Sequence, residues 1–413
     1  MPFIDYLVLT ALDEEWTSMI KILEPNITRD MLYRTDDSIT YRLWKQQPRD
    51  KKGNYLIAGA TMSRGTGGQA NAAVLSGNSI RLWKPSRVVL MGIAGSLEAD
   101  SLMLGDIVIS ENVFGYEVGD AYTDKFEFRR TVNQTSALDL DRVRAFLDTE
   151  ELYKAWQSEC YEASKELGLY DKLNGRPPEL HIENIASGEF VVKSVKFGQQ
   201  LKDQIDWSIK AVEMEARGLF VAMRQSGHRN DSLMIRGISD YADENKSKLE
   251  KESKDMWRKF ASQNAARFLK AMLYDKPFQP VSPDYKLDAD LGNLTDFRKE
   301  GIPQIEHQNL GSQTVSVPKL LVRHDPNPPL KIEVSFTSAT DIDAKGLCII
   351  EAGGQPKFVR EEFIEPGLIS FEIPAFESGF NLALLLSFSS KVDSLEVNCI
   401  DVFKRTATIS LLM

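Results

Sequence analysis

The sequence predicts an α/β domain followed by a small all-β domain that resembles a sandwich. Short strands alternate with helices over residues 1–275, and residues 88–91 are apolar throughout, as expected for a sheet covered on both faces. A proline-rich segment at residues 276–283 marks a boundary. Beyond it, short alternating strands follow one another without a helical pattern, which is typical of an antiparallel sandwich. The sequence therefore predicts an α/β domain at 1–275, a linker at 276–318 and a β-sandwich at 319–413.

The composition limits the class of protein and its partners. The chain has 413 residues, of which 42% are hydrophobic and 27% charged, as in a folded soluble protein. A net charge of −10 argues against nucleic-acid binding. The three cysteines and four histidines show no metal-ligand spacing, so we expect no metal and a reducing environment. With no signal-peptide pattern and no apolar run long enough for a bilayer, we expect a cytoplasmic protein without a membrane partner.

The first predicted strand, residues 6–9, runs into three consecutive acids. Asp13, Glu14 and Glu15 begin a helix, where negative charge complements the helix dipole. Successive helical side chains point about 100° apart, so at most one or two of these acids can face a cleft.

Two turns rich in small residues follow. The first, at residues 62–73, is MSRGTGGQANAA, which lacks the Lys-Ser/Thr of a P-loop and the spacing of a dinucleotide fingerprint. Its amides could hold an anion, or its glycines could serve close helix packing, and both interpretations remain open. The second turn, GIAGS at residues 92–96, ends the apolar strand where a flat ligand could approach the backbone. Residues 135–180 then have a helical pattern and form a predicted insertion.

Two acidic corners stand close together later in the chain. Glu213 and Glu215 enter a predicted helix, and Asp240 follows a strand at residues 232–238. Ligands of open α/β sheets bind outside the carboxyl ends of the strands, where both corners would lie. Either corner alone is explained by helix capping, so the hypothesis needs both. One long helix is predicted at residues 246–273.

The order of short motifs over the first 275 residues resembles the nucleoside phosphorylase superfamily. The motifs are LDEE, the Gly-rich turn, GIAG, GDIVIS, SGEF, VEMEA and ISDYAD. The methylthioadenosine/S-adenosylhomocysteine nucleosidase branch is the most similar. The resemblance implies an α/β domain around a mixed, partly closed sheet, assembled as a homo-oligomer. It also implies cleavage of the bond between a purine and ribose without a cofactor. The C-terminal β domain is outside this resemblance.

The resemblance assigns roles to three acids. Asp240 is expected to protonate purine N7, Glu215 to bind the ribose hydroxyls and Glu15 to activate the attacking water. Chemistry agrees, since one carboxyl must be protonated for the leaving base and another ionised to accept a proton from water. Residues expected to line the substrate pocket are Ala94, Gly95, Phe190, Val191, Met214 and Ser239.

The substrate and the nucleophile remain open at this point. Candidate phosphate contacts are Arg64, Gly65, Gly67 and Arg236, with Arg129, Arg130 and Lys193 as further cations. Ile93 stands where the branch usually has Ser or Thr, which weighs against phosphorolysis. A nucleosidase domain joined to a separate module resembles antiphage effectors that destroy ATP, with a protein or ligand trigger at the β domain. The alternatives are a metabolic nucleosidase, a phosphate-dependent phosphorylase and a non-catalytic nucleotide-binding module.

Overall fold

The computed structural model divides the chain into two compact units, Ile4–Val281 and Ser282–Met413. In the first unit it describes residues 4–23, 32–34, 39–50, 54–62, 67–124, 126–227 and 231–275. In the second unit the described residues are 286–289, 313–316, 320–323, 330–337, 344–352, 355–360, 362–365, 367–373, 380–388, 392–401 and 406–412.

Strands and helices alternate along the first unit. The strands are β1 (Ile4–Thr10), β2 (Leu32–Arg34), β3 (Thr40–Gln46), β4 (Tyr55–Thr61), β5 (Pro85–Ser96), β6 (Ile107–Gly115), β7 (Gly119–Ala121), β8 (Phe126–Phe128), β9 (Thr131–Gln134), β10 (Leu180–Ser187), β11 (Ile209–Glu213) and β12 (Ser232–Asp240). The helices are α1 (Asp13–Leu23), α2 (Gln69–Trp83), α3 (Ala137–Asp148), α4 (Glu150–Glu166), α5 (Val195–Gln204), α6 (Ala216–Gln225), α7 (Lys246–Ser253) and α8 (Met256–Asp275).

The main sheet is mixed and partly closed, as predicted. Its strand order is β11-β10-β6-β12-β5-β1-β4-β3-β2. β11 also pairs with β5, in antiparallel fashion through Ala211 with Ser96 and Val212 with Gly95. This extra pairing closes β5, β12, β6, β10 and β11 into a ring, and β1 to β4 extend from it. The long strand β5 therefore has β1, β12 and β11 as neighbours, and its last residues lie where several strands end.

Apolar side chains explain why this sheet is covered. Val89 and Met91 of β5, Ile235 of β12 and Phe268 of α8 belong to one buried cluster, and α1 packs beside α8. A second group of helices, α2 and α6, pack against each other. The sheet is thus buried by helices, which explains the continuously apolar β5.

Two local predictions in this unit are wrong. The single helix expected at residues 246–273 is broken into α7 and α8, because Lys254 and Asp255 adopt left-handed backbone angles (φ 50° and 60°). Glu213 does not enter a helix but is the last residue of β11, and Glu215 is the residue that precedes α6.

The second unit is a two-sheet sandwich. Its strands are β13 (Lys286–Ala289), β14 (Gln313–Ser316), β15 (Leu320–Arg323), β16 (Leu330–Thr337), β17 (Ala344–Ala352), β18 (Gln355–Arg360), β19 (Glu362–Glu365), β20 (Leu368–Ile373), β21 (Phe380–Phe388), β22 (Ser394–Asp401) and β23 (Thr406–Leu412). One sheet has the order β13-β15-β21-β17-β18 with β14 beside β21, and the other β19-β20-β16-β22-β23. Val334, Phe371, Cys348 and Leu386 come from both sheets and share one buried core.

The predicted linker contains part of this sandwich. β13 and β14 fall within residues 276–318, and they pair with β15 and β21. The sequence analysis missed these short strands because their composition is polar, and edge strands need few apolar residues. The rest of that range lies outside the described residues. In the part of the chain that the structure describes, no helix is long and apolar enough to cross a membrane.

Candidate active site

The candidate site lies at the carboxyl end of β5, where neighbouring strands also end. In the register with β12, Gly92 lies opposite Arg236 and Gly95 opposite Asp240. In the pairing of β5 with β11, Gly95 lies opposite Val212, close to the end of β11. The two acidic corners and the GIAG turn thus meet at one place, as ligand sites of α/β sheets do.

Glu15 is the one acid of the first turn of α1 that is buried. Its Oε2 accepts hydrogen bonds from the amides of Ala11 and Leu12, both 2.9 Å away, and Oε1 accepts one from the Ile93 amide at 3.0 Å. The carboxyl therefore joins the start of α1 to the GIAG turn. Burial raises the pKa of Glu15, while Arg236 and the backbone amides act in the opposite direction.

Arg236 is fully buried and carries the positive charge of the site. Its Nη2 forms an ion pair with Glu213 and lies 3.5 Å from Oε2 of Glu215. Gly92 allows this approach, because a Cβ there would overlap both Nη1 of Arg236 and Oε1 of Glu15. Among the described residues, Nε and Nη1 of Arg236 have no hydrogen-bond partner. Of these two donors, Nη1 lies close to Gly92, next to the Glu15 carboxyl.

Three carboxyls surround this one guanidinium. Glu213 accepts hydrogen bonds from the amides of Glu215 (3.0 Å) and Ala216 (3.0 Å) and so caps α6. Burial raises the pKa of Glu215 to about 8; Glu213 and Glu15 add to this rise, and Arg236 opposes it. Burial also acts to lower the pKa of Arg236, but the three carboxylates more than offset it. Burial among like charges thus favours the protonated form of Glu215.

Asp240 has a different environment, made of hydrogen-bond donors. Its Oδ2 accepts from Ser239 Oγ and from Lys246 Nζ, both at 2.8 Å, and its Oδ1 accepts from the Ala242 amide at 2.9 Å. Ala242 adopts a left-handed backbone angle (φ 50°), unusual for a residue with a side chain and consistent with a constrained site. Gly95 is required opposite, since a Cβ there would lie 2.9 Å from Oδ1 of Asp240.

Carboxylates occupy the start of α2, at the end of the Gly-rich turn. The Gly68 amide donates to Glu215 Oε1 at 3.3 Å, and the Gln69 amide donates to Glu189 Oε1 at 2.9 Å. The Gln69 side chain joins three elements, because Nε2 donates to Ser187 Oγ at 2.8 Å and Oε1 accepts from the Gly218 amide at 2.6 Å. The amides of Gly68 and Gln69 are thus taken by the protein's own acids.

The predicted pocket residues fall into two groups. Ala94, Gly95 and Ser239 lie at Asp240, where Ser239 Oγ is also 3.3 Å from the Ala94 carbonyl. Met214 is partly buried between Glu213 and Glu215. Phe190 and Val191 lie on the loop after β10 with 61% and 52% of their surface exposed, so the structure does not bury either against the strand ends.

The predicted phosphate contacts are also dispersed. Arg64 and Gly65 lie outside the described residues. Gly67 precedes α2, and its carbonyl accepts a hydrogen bond from Asn71 at 3.5 Å. Arg236 is bound to carboxylates in the interior, and a phosphate contact for it stays a prediction.

The remaining predicted cations have partners of their own on the surface. Arg129 pairs with Asp120, Arg130 with Asp206, and Lys193 with Ser247.

Sequence reasoning missed two functional candidates, Glu213 and Lys246. The sequence could have indicated Glu213, since it stands two residues before Glu215 at a strand-to-helix junction, where a carboxylate can cap the helix. No sequence pattern could have indicated Lys246, because it lies six positions after Asp240 and only the folded loop brings the two side chains together. In the residues that the structure describes, no group of three or more His, Cys, Asp or Glu side chains is arranged to hold a metal.

Comparison with known proteins agrees with this arrangement. The model of the phosphorylase superfamily matches residues 58–274, which is more than half of the chain. The chain therefore belongs to the phosphorylase superfamily, as the order of its motifs predicted. The match includes the GIAG turn and both acidic corners, while Glu15 precedes it.

Individual relatives match parts of the chain. ATP nucleosidase Cap17 of Escherichia coli (strain KTE188) is 26% identical over 253 residues, covering 58% of this chain and 46% of that protein. A death domain-containing ATP nucleosidase of Amphimedon queenslandica is 22% identical over 274 residues, covering 64% of this chain and 48% of that protein. The chain thus spans about half the length of these curated relatives. Among solved structures, futalosine hydrolase of Helicobacter pylori strain 26695 is similar, with 21% identity, a TM-score of 0.46, and coverage of 65% of this chain and 97% of that chain.

Proposed function

We propose that this chain hydrolyses the N-ribosidic bond of an adenine nucleotide, such as ATP, and releases the free base. The observation that carries the proposal is the meeting of Glu15, Glu215 and Asp240, from three separate motifs, around the end of β5. The two relatives that are named ATP nucleosidases support the choice of ATP.

Asp240 takes the role of general acid. Cleavage of the bond leaves negative charge on the purine, and a proton delivered to N7 removes it. A positioned acid of this kind contributes about 10²–10⁴-fold to the rate. The buried position of Asp240 beside Ala94 and Gly95, where a flat base can approach the backbone, supports this role.

Glu15 takes the role of general base for water. Ile93, whose amide binds Glu15, and Gly95, which lies opposite Asp240, are two residues apart on one strand, roughly 7 Å along it. In inverting hydrolases, an acid and a base carboxyl roughly 6.5–9.5 Å apart leave room for a water molecule between them, and we propose the same division of roles for Asp240 and Glu15. The free donors of Arg236 beside Glu15 can orient that water.

Glu215 takes the role of the ribose-binding group. A protonated carboxyl can donate one hydrogen bond and accept another, which suits a pair of sugar hydroxyls. Once ionised, it stabilises the positive charge that develops on the sugar. Its pKa of about 8 allows both forms near neutral pH.

Hydrolysis is favoured over phosphorolysis by the charge around the Gly-rich turn. The Gly68 and Gln69 amides already bind Glu215 and Glu189, and Arg236 is bound to Glu213. Inorganic phosphate would meet negative charge at these positions. Ile93 adds no hydroxyl to hold it.

We further propose that the protein is a cytoplasmic effector of antiphage defence, whose sandwich unit receives a protein or ligand trigger. The presence of a separate β-sandwich in addition to the α/β unit supports this. We also propose that it forms a homo-oligomer. Large apolar side chains exposed along one stretch of the chain, Phe190, Val195 and Trp207, support an interface there.

A chromatographic assay tests the proposed reaction. The purified full chain is incubated with ATP, AMP, adenosine, methylthioadenosine and S-adenosylhomocysteine, each with and without phosphate, and the Asp240→Asn variant serves as the control. We expect free adenine from ATP without phosphate. Release only from the two thio-nucleosides would indicate a metabolic nucleosidase, and strict phosphate dependence a phosphorylase. Release from none of the five would contradict the enzyme proposal and favour a binding module.

A further inference from the structure

The general acid must regain a proton each time it gives one to a leaving base. Asp240 accepts three hydrogen bonds, from Ser239, Lys246 and the Ala242 amide. Protonation of purine N7 takes a proton from this carboxyl, which is left ionised at the end of the step. A proton therefore has to reach Asp240 during each turnover.

Lys246 is the contact of Asp240 that connects it to solvent. The side chain of Asp240 is 1% exposed, and Ser239 and Ala242 are buried to the same degree. The side chain of Lys246 is 14% exposed, and its ammonium lies 2.8 Å from Oδ2 of Asp240. An ammonium carries three exchangeable protons and is charged at neutral pH. It can thus donate a proton inward and regain one from water.

The helix that carries Lys246 is fixed to the helix that carries the base. Arg258 of α8 binds Glu14, next to Glu15, through Nε at 2.8 Å, and it binds Glu250 of α7 through Nη1 at 3.3 Å. This bridge ties α7 to α1. Lys246 is the first residue of α7, and the loop that joins it to β12 contains the left-handed Ala242. Lys246 is therefore held in a defined position by contacts that also hold the end of α1 where Glu15 lies.

We propose that Lys246 is a positioning residue for the general acid, which holds Oδ2 of Asp240 and supplies the proton that Asp240 passes to the leaving base. This inference rests on the function proposed above. As the bond between ribose C1′ and purine N9 breaks, its electron pair goes to the purine and a proton goes from Asp240 to N7. A proton moves from Lys246 to Asp240, and Lys246 regains one from solvent. The water oxygen bonds to C1′ and its proton goes to Glu15, which releases it to solvent.

A substrate whose leaving base needs no proton distinguishes proton supply by Lys246 from a purely structural role of that residue. An N7-methylated adenine nucleotide carries positive charge on its base before cleavage, so its release does not depend on the acid. We compare kcat on this substrate and on the unmethylated nucleotide for the full-length wild type and the variants Lys246→Met, Lys246→Arg and Asp240→Asn. Lys248→Met is the matched control, because Lys248 lies on the same helix with 72% of its side chain exposed.

The expected result is a split between the two substrates. Lys246→Met lowers kcat on the unmethylated nucleotide by about 10–100-fold, which is a part of the effect of losing a general acid. It changes kcat on the methylated nucleotide by less than about 3-fold. Lys246→Arg restores most of the loss, Asp240→Asn shows a larger split, and Lys248→Met matches the wild type on both. Equal losses on both substrates, or no loss on the unmethylated one, would overturn the role of Lys246. A wild type that cleaves neither would instead contradict the proposed function, and this inference with it.

Discussion

The two ends of the candidate site have opposite electrostatic designs. At one end, three hydrogen-bond donors, including the ammonium of Lys246, surround the single carboxyl of Asp240. At the other end, Glu15, Glu213 and Glu215 share the single guanidinium of Arg236. The first end has a surplus of donors, and the second a surplus of carboxyls. In the proposed mechanism, protons are supplied at the end with Asp240 and accepted at the end with Glu15.

This difference assigns chemical roles better than burial does, because Glu15 and Asp240 are each 1% exposed. Burial raises the pKa of Glu15, and burial together with neighbouring carboxylates raises that of Glu215, which makes both groups better proton acceptors. Donors around a carboxyl fix its orientation and provide a route for protons. Substitutions that remove a donor, a carboxyl or the guanidinium from either end therefore test this difference.

The largest effect is expected at the end rich in donors. Asp240→Asn keeps the shape of the side chain but cannot deliver a proton, so kcat on an adenine nucleotide should fall by about 10²–10⁴-fold. Steady-state kinetics measure this, and the melting temperature reports whether the variant folds. A variant that is folded and retains more than a tenth of the wild-type rate would contradict the role of Asp240.

Removal of the buried guanidinium of Arg236 should destabilise the end that is rich in carboxyls. Arg236→Met leaves Glu213 and Glu215 buried without their partner, and the loss of one member of a buried pair costs about 3–5 kcal/mol of folding free energy. Denaturant unfolding measures the change. Arg129→Met is the matched control, since the pair between Arg129 and Asp120 is exposed, and it should cost less than about 1 kcal/mol. Similar losses in the two variants would show that the carboxyl cluster does not depend on Arg236.

A pH-dependent effect is expected from Glu215. Its pKa is raised to about 8 in the folded protein, so the folded state binds a proton that the unfolded state releases above its ordinary pKa of 4.5. This contribution to stability is present below pH 4.5 and is lost as pH rises through 8, with each pKa unit corresponding to about 1.4 kcal/mol. Glu215→Gln keeps the group neutral, so its melting temperature should exceed that of the wild type at pH 9 and not at pH 5. No difference between the two pH values would contradict the crowding of carboxyls.

The smallest effect is expected at the start of α2. Glu189 accepts the Gln69 amide there, and Glu189→Gln should lower the free energy of unfolding by about 0.3–1 kcal/mol, as for an acid at a helix N-terminus. Hydrolysis without phosphate should stay within about 3-fold of the wild type. If the variant instead gained turnover on addition of phosphate, the turn would be an anion site held closed by Glu189.

The sequence predicted the centre of the fold better than its connections. The apolar β5 and the motif order were sufficient for the partly closed sheet and for the meeting of Glu15, Glu215 and Asp240, because sheet topology fixes where strands end. The contact between Lys246 and Asp240 could not be predicted, since it depends on the loop that contains the left-handed Ala242. The break between α7 and α8 was missed for the same reason, because Lys254 and Asp255 show no glycine or proline signal.

The inward position of Arg236 was also hidden from sequence reasoning. An arginine within an apolar strand suggests a residue that is available to a ligand. In the structure the partners of Arg236 are Glu213 and Glu215, more than twenty residues away in the chain. Pairing between distant residues has no local pattern. Exposure of Phe190 and Val191 is likewise a property of the loop after β10, which the SGEF motif does not define.

Isotope labelling tests the central claim most directly, namely that water activated at Glu15 attacks the sugar. The full chain is incubated with ATP in ¹⁸O-water without phosphate, and the products are measured by mass spectrometry. The account predicts free adenine together with one ¹⁸O atom on C1 of the ribose product. Adenine without label in the sugar, or cleavage only after phosphate is added with a phosphate ester at C1, would contradict it.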